Sequence, residues 1–227
     1  MNTNNRIWEV DFIRGLAIIL MVIFHLIVDL KDFYSYDIEY LGGFWYYEGK
    51  LSAILFMLTS GISSTFSKNN TKRGAVVFGF GLILSLATYL FDPEYYIRFG
   101  ILHFLGVCML LYKSINKLSN KVTFSLATSF IIIGNAISKI TIDTPYFFPL
   151  GLTDRNFSSL DYYPIFPWLG VFLYGVIIGK TIYKQKRSLF VKNLKLDTIV
   201  YLGQHSLLIY LTHQPMLLAL LYLGHKL

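Results

Sequence analysis

Charge is what this sequence has least of. Only 15% of its 227 residues are Asp, Glu, Lys or Arg, against 55% hydrophobic and 17% aromatic. A soluble domain carries about 25% charged residues, so a water-soluble globular fold is excluded at the outset. Cysteine is almost missing too. Cys108 stands alone inside an apolar run, which leaves no intramolecular disulfide. Long polar stretches are also lacking. A bilayer core about 30 Å thick takes roughly 20 apolar residues per helix, and about seven such spans with short loops use nearly the whole chain. Residues 1–227 therefore read as one membrane-embedded domain with no separate soluble part.

What is present fits a polytopic all-α transmembrane bundle. The apolar runs predict spans near 12–30, 49–67, 73–91, 97–113, 121–139, 165–183 and 198–223. The first run carries Asp11 and Arg14 at its head and lacks a small-residue exit, unlike a cleaved signal peptide. The fifth is rich in Ser, Thr and Asn and is expected to face protein rather than lipid. In the third, Gly74, Gly79 and Gly81 would permit close helix contact.

Loop charge sets the orientation. With the N-terminus in the cytoplasm and the C-terminus outside, all of the 20 Lys and Arg fall on the inner side except Lys31, Lys50, Arg98, Lys139, Arg155 and Lys226. This asymmetry, which includes Lys192 and Lys195 inside, accounts for the formal net charge of +7 without nucleic acid. The expected location is the cell membrane. Two outer loops, about 31–48 and 140–164, collect Tyr, Trp and acidic residues. A membrane boundary accounts for most of these aromatics, and the same residues would also suit a carbohydrate that stacks on them.

Ionisable side chains inside a span are costly and need a reason. Asp11 and Arg14 are three apart on the first helix and can pair. His25 lies about 21 Å beyond Asp11 along the axis, at 1.5 Å per residue, on nearly the same side as Arg14. His103 and His213 are expected at similar depth on two other helices, making a three-imidazole site in the outer half. His205 sits lower, at a second inner site or bonded to a backbone carbonyl. No outer-half carboxylate or thiol is read at one-turn spacing from these histidines, and no metal is expected.

Four segments carry a resemblance. RIWEVDFIRGLAIILMVIFHLIVDL (6–30), FGILHFLG (99–106), DYYPIFPWLGVFLYGVIIG (161–179) and LGQHSLLIYLTHQP (202–215) are similar, in order, to signatures of the bacterial DUF1624 proteins, relatives of heparan-alpha-glucosaminide N-acetyltransferase. The first helix also resembles that of the wider transmembrane acyltransferase group, whose Asp-x-x-Arg-Gly start and downstream His match Asp11, Arg14, Gly15 and His25. The resemblance implies acyl transfer from an acyl-CoA, acetyl-CoA by default, to a sugar or glycan acceptor within the membrane. Eukaryotic members place their proposed catalytic His in the loop after the first helix and carry Asn at the position of His25. This chain has no histidine between Asp29 and Gly49, so His25 becomes the substitute.

On that reading His25 is the general base, and His103 and His213 orient it or donate to the oxyanion. Arg14, Arg73 and His205 hold the CoA phosphates. Asp161, Trp168 and Asp11 bind substrate. Two other readings stand beside it: a transporter with a histidine proton relay, and a scaffold with no catalysis. Oligomeric state stays open, a homodimer included.

Overall fold

The computed structural model describes residues 6–191 and 197–225, so Lys192, Lys195 and Lys226 of the loop-charge reading lie outside the described residues. Among the described residues every named element is helical. The α-helices are α1 (Trp8–Tyr34), α2 (Gly43–Ser64), α3 (Asn70–Phe91), α4 (Ile101–Ile115), α5 (Asn120–Ile137), α6 (Ile165–Thr181), α7 (Asp197–Gln204) and α8 (Ser206–Gly224), with a 3-10 segment at Pro145–Leu150 between α5 and α6.

Among the described residues three helices are long and apolar enough to cross a membrane, α1, α3 and α8, while α4 and α6 are apolar but shorter. Their surfaces agree with lipid contact. Leu82, Ile83, Leu86, Leu90 and Phe91 of α3, and Leu208, Leu220 and Leu223 of α8, are all exposed. Apolar faces of that extent are not left to water in a soluble monomer.

Each predicted run is helical, with shifted ends. Helix α1 starts earlier than expected because its polar first turns are satisfied. Glu9 and Asp11 sit where the helix dipole favours anions, and Arg14 pairs with Asp11 at 2.9 Å. It stops at Ser35, whose backbone adopts the left-handed conformation (φ 58°). The last run, expected as one span, is bent. Helices α7 and α8 meet at His205, yet the His205 N–H still reaches Tyr201 O (3.2 Å) and the Ile209 N–H reaches His205 O (3.1 Å). His205 is therefore bonded to both helices.

The chain divides into two compact units, residues 1–59 with 185–227 and residues 60–184, and the boundary falls inside α2. In the first unit, α1 packs on α7 almost backbone to backbone. A Cβ on Gly15 would collide with the Ile199 carbonyl, and one on Gly203 with the Asp11 carbonyl. Residues 43–59 of α2 also seat on α1, through Gly49 against Phe24 and a Ser52 Oγ bond to Ala17 O (2.9 Å).

In the second unit α3 packs on α4 and α5 on α6. Of the three glycines singled out in α3, a Cβ on Gly74 would stand 2.8 Å from Gly106 O and one on Gly81 3.1 Å from the His103 ring, whereas one on Gly79 would meet nothing within 4 Å. Thr128 of the polar fifth run bonds Tyr174 of α6 at 2.8 Å, but Val122, Phe124, Ile132 and Ile133 of the same helix are exposed, so it meets protein on one face and not all round as expected.

The four resemblance segments pair off within these units. The first and fourth meet where Gly15 and Gly203 bring α1 against α7. The second and third are stitched by the Tyr163 N–H to Phe99 O bond (2.9 Å) and by Asp161, described below.

Candidate functional site

In the first unit α1 and α8 bring two predicted histidines together. The rings of His25 and His213 lie edge to face, with centroids 4.7 Å apart and an interplanar angle of 80°. Each ring is tied to its own helix. His25 Nδ1 is 2.9 Å from Met21 O, and His213 Nδ1 is 2.7 Å from Tyr210 O. A carbonyl oxygen only accepts, so in the neutral rings both Nδ1 atoms carry the proton and both Nε2 atoms keep a lone pair. His213 is buried, and among the described residues its Nε2 has no hydrogen-bond partner. His25 is half-buried. The pair therefore offers one reachable basic nitrogen backed by a second, enclosed one.

Two further polar residues sit beside this pair and escaped the sequence reading. Asp29, 2% exposed, accepts a 2.7 Å hydrogen bond at Oδ1 from Gln214 Nε2. The reading that no carboxylate stands one turn from the outer histidines fails here: Asp29 follows His25 by one helical turn and shares its face. Gln214 adjoins His213 and carries no charge to draw notice. The signal was present in the segment FHLIVD, where His25 and Asp29 keep i, i+4 spacing. Among the described residues no group of three or more His, Cys, Asp or Glu is arranged to hold a metal ion.

At the start of α1, Arg14 and Asp11 form the expected pair, and Arg6 approaches Asp11 at 3.7 Å. His205, exposed at the bend, bonds Tyr201 O (2.9 Å) and lies over the Tyr201 ring, so the carbonyl alternative holds.

The other predicted residues lie in the second unit. His103 is buried at the third residue of α4 with both ring nitrogens engaged. Nδ1 accepts from the Gly100 N–H (3.2 Å), which leaves the proton on Nε2, 3.3 Å from Ser85 Oγ. Ser85 in turn donates to Ile97 O (2.6 Å). This ring caps a helix start.

Asp161 does similar work at the same helix end. Its Oδ2 accepts from the Ile101 N–H (2.9 Å) and presses so close to Gly100 that a Cβ there would overlap it. The carboxylate thus satisfies an otherwise free helix donor and faces the positive end of the dipole. Asp161→Ala is expected to lower the midpoint of thermal unfolding, at about 1 kcal/mol, a cap's usual contribution. A thermal-shift series on the detergent-solubilised chain checks this, and an unchanged midpoint counts against the capping role.

Trp168, half-buried on α6, packs edge-on to Tyr163 with ring centroids 5.3 Å apart. Arg73 is exposed in the first turn of α3. Tyr162 donates its hydroxyl to Phe148 O (2.7 Å), and burial pushes the phenols of Tyr162 and Tyr163 above their ordinary range, which removes both as bases near neutral pH.

Among the described residues every named element is helical, three helices are apolar and of spanning length, and two of these carry the imidazole pair, which is the make-up of a membrane protein. Residues 6–215 match the family model described as heparan-alpha-glucosaminide N-acetyltransferase, catalytic, and the chain belongs to that family of membrane acetyltransferases. Neither the curated proteins nor the solved structures contain a match.

Proposed function

We propose that this protein moves an acetyl group from acetyl-CoA on the cytoplasmic side of the cell membrane to a sugar or glycan acceptor outside, with His25 as general base. The observation that carries this reading is the His25–His213 pair, whose Nδ1 atoms are tied to backbone carbonyls while both Nε2 lone pairs remain. Topologically, α1 to α6 each span the bilayer, and α7 with α8 forms the seventh span. The N-terminus is then inside, as the loop charges require.

In the reaction His25 Nε2 takes the proton of an acceptor hydroxyl or amine as its oxygen or nitrogen attacks the thioester carbonyl. The C–S bond breaks, the acetyl group passes to the acceptor, and the CoA thiolate leaves and recovers a proton from the imidazolium. Transfer through an acetyl-histidine uses the same nitrogen as nucleophile and the same overall balance. The base role falls on His25 rather than His103, because both nitrogens of His103 are engaged in capping α4. His213, edge-on to His25, orients it. Arg14 and His205 of the first unit supply cationic and donor groups for the CoA phosphates.

A membrane row of His and Asp side chains would also suit a proton relay, so the test has to separate transfer from transport. Purified protein in vesicles is given radiolabelled acetyl-CoA outside and glucosamine or a glucosamine oligosaccharide inside, then the reverse. Label covalently attached to the sugar, dependent on acetyl-CoA and on one sidedness, is the expected result. Sugar or proton flux without CoA, and no covalent label, would replace this reading with transport.

A further inference from the structure

Three buried acceptor atoms line one stretch of α1 and α8 with nothing to accept from: Asp29 Oδ2, Gln214 Oε1 and His213 Nε2. They belong to one constellation. Asp29 Oδ1 and Gln214 Nε2 are joined at 2.7 Å, Gln214 adjoins His213, and the His213 ring lies 4.7 Å from that of His25. Among the described residues Asp29 has no cation partner, although it is 2% exposed. A buried acceptor left unmade costs about 1–3 kcal/mol. Two of them belong to the bonded Asp29–Gln214 pair and the third to the imidazole beside the base, and all three have the same polarity, complementary to groups that only donate.

Helix packing gives no reason for this arrangement. A clamp holding α1 to α8 needs only the Oδ1–Nε2 bond, and a leucine pair would do it without desolvating a carboxyl. A metal is not indicated either, since among the described residues no ligand group converges here.

Resting on the acetyltransferase reading, we infer that Asp29, Gln214 and His213 form the subsite that grips the acceptor sugar through its hydrogen-bond donors, next to the atom His25 deprotonates. Asp29 is the specificity-determining residue. Its Oδ1 fixes the Gln214 amide so that Gln214 Oε1 is held as an acceptor, and its Oδ2 meets the substrate. The group recognised is a hydroxyl or ammonium carried by the sugar, two sources with the same donor chemistry. An acylated or O-methylated position offers fewer donors or none and is rejected, because it would leave these atoms unpaired.

The test separates binding from clamping. Full-length protein in nanodiscs is assayed with acetyl-CoA and glucosamine, for the wild type, Asp29→Asn and the exchanged pair Asp29→Asn with Gln214→Glu. The exchange rebuilds the carboxylate–amide bond with its ends swapped, and so restores the clamp but moves the carboxyl. Asp29→Asn is expected to raise KM for glucosamine at least tenfold with KM for acetyl-CoA unchanged. The exchanged pair is expected to recover the wild-type Tm and not the wild-type KM. An exchanged pair with wild-type KM, or Asp29→Asn with unchanged KM, overturns the inference and leaves a clamp.

Binding of glucosamine and of glucose, followed by calorimetry without acetyl-CoA, keeps the two proposals apart. Binding that depends on Asp29 in a protein that transfers no acetyl group supports the subsite and removes the acetyltransferase reading. Transfer without Asp29-dependent binding does the reverse. A stronger Asp29 effect on glucosamine than on glucose assigns the contact to the ammonium, and equal effects assign it to hydroxyls.

Discussion

Replacing His25 by alanine is expected to lower acetyl transfer by about 10²- to 10⁴-fold, the usual contribution of a positioned general base, while the protein stays folded. The two effects separate for a structural reason. His25 spends only Nδ1 on the protein, in a bond to Met21 O one turn back on its own helix. Losing that bond leaves a carbonyl that already takes part in the helix ladder. His25→Asn retains an amide that can reach the same carbonyl but supplies no basic nitrogen, so it is expected to be as inactive as alanine.

His103→Ala is the informative contrast. It strips partners from the Gly100 N–H and from Ser85, and its expected signature is a lower Tm with a near-normal rate per folded molecule. The measurement is initial-rate transfer of radiolabelled acetyl, normalised to folded protein from size-exclusion chromatography. If His25→Ala transfers at the wild-type rate, the base assignment is wrong. If His103→Ala is the inactive one, the active centre lies in the second unit.

Much of the architecture was legible because apolar runs of span length have few alternatives. Even the polar run at 121–139 gave its helix, with Thr128 turned to Tyr174. The bend at His205 was not legible. The run 198–223 reads as one span despite the polar Gln204-His205-Ser206 at the bend, where Gly203 meets α1 in a contact between segments far apart in sequence. The pairing of His25 with His213 was half legible. Depth along a helix follows from residue count, whereas the face presented to a neighbour depends on how the helices cross.

His103 shows that limit from the other side. Its expected depth was six residues into a span, but it stands at the third residue of α4 and folds back on Gly100. Asp29 escapes the sequence because it sits at the last turn of the predicted span 12–30 and reads with the acids of the loop that follows. Helix α1 runs on to Tyr34.

Gly203→Ala is expected to be the most damaging single-methyl change in the first unit. The added Cβ would overlap the Asp11 carbonyl oxygen, and the neighbouring atoms it meets are also backbone: Asp11 C and Gly15 N, each at 2.8 Å. These atoms belong to the ladder of α1 and cannot turn aside as a side chain would. Relief requires α7 to move away from α1 as a body. Overpacking of this kind costs about 1–3 kcal/mol and sometimes more. The displacement should also reach the chemistry, because His205 is bonded both to Tyr201 of α7 and to Ile209 of α8, the helix that carries His213 and Gln214.

Both Tm and acetyl transfer are therefore expected to fall in Gly203→Ala, with the loss of transfer exceeding the loss of folded protein. Gly79→Ala is the matched control. It has nothing within 4 Å of the new methyl, and in a helix interior alanine is favoured over glycine by about 1 kcal/mol, so its Tm is expected to hold or rise. Equal Tm shifts in the two variants would mean that α7 has room to yield, and that the contact between the Asp11–Gly15 turn and Gly203 does not set the position of His213.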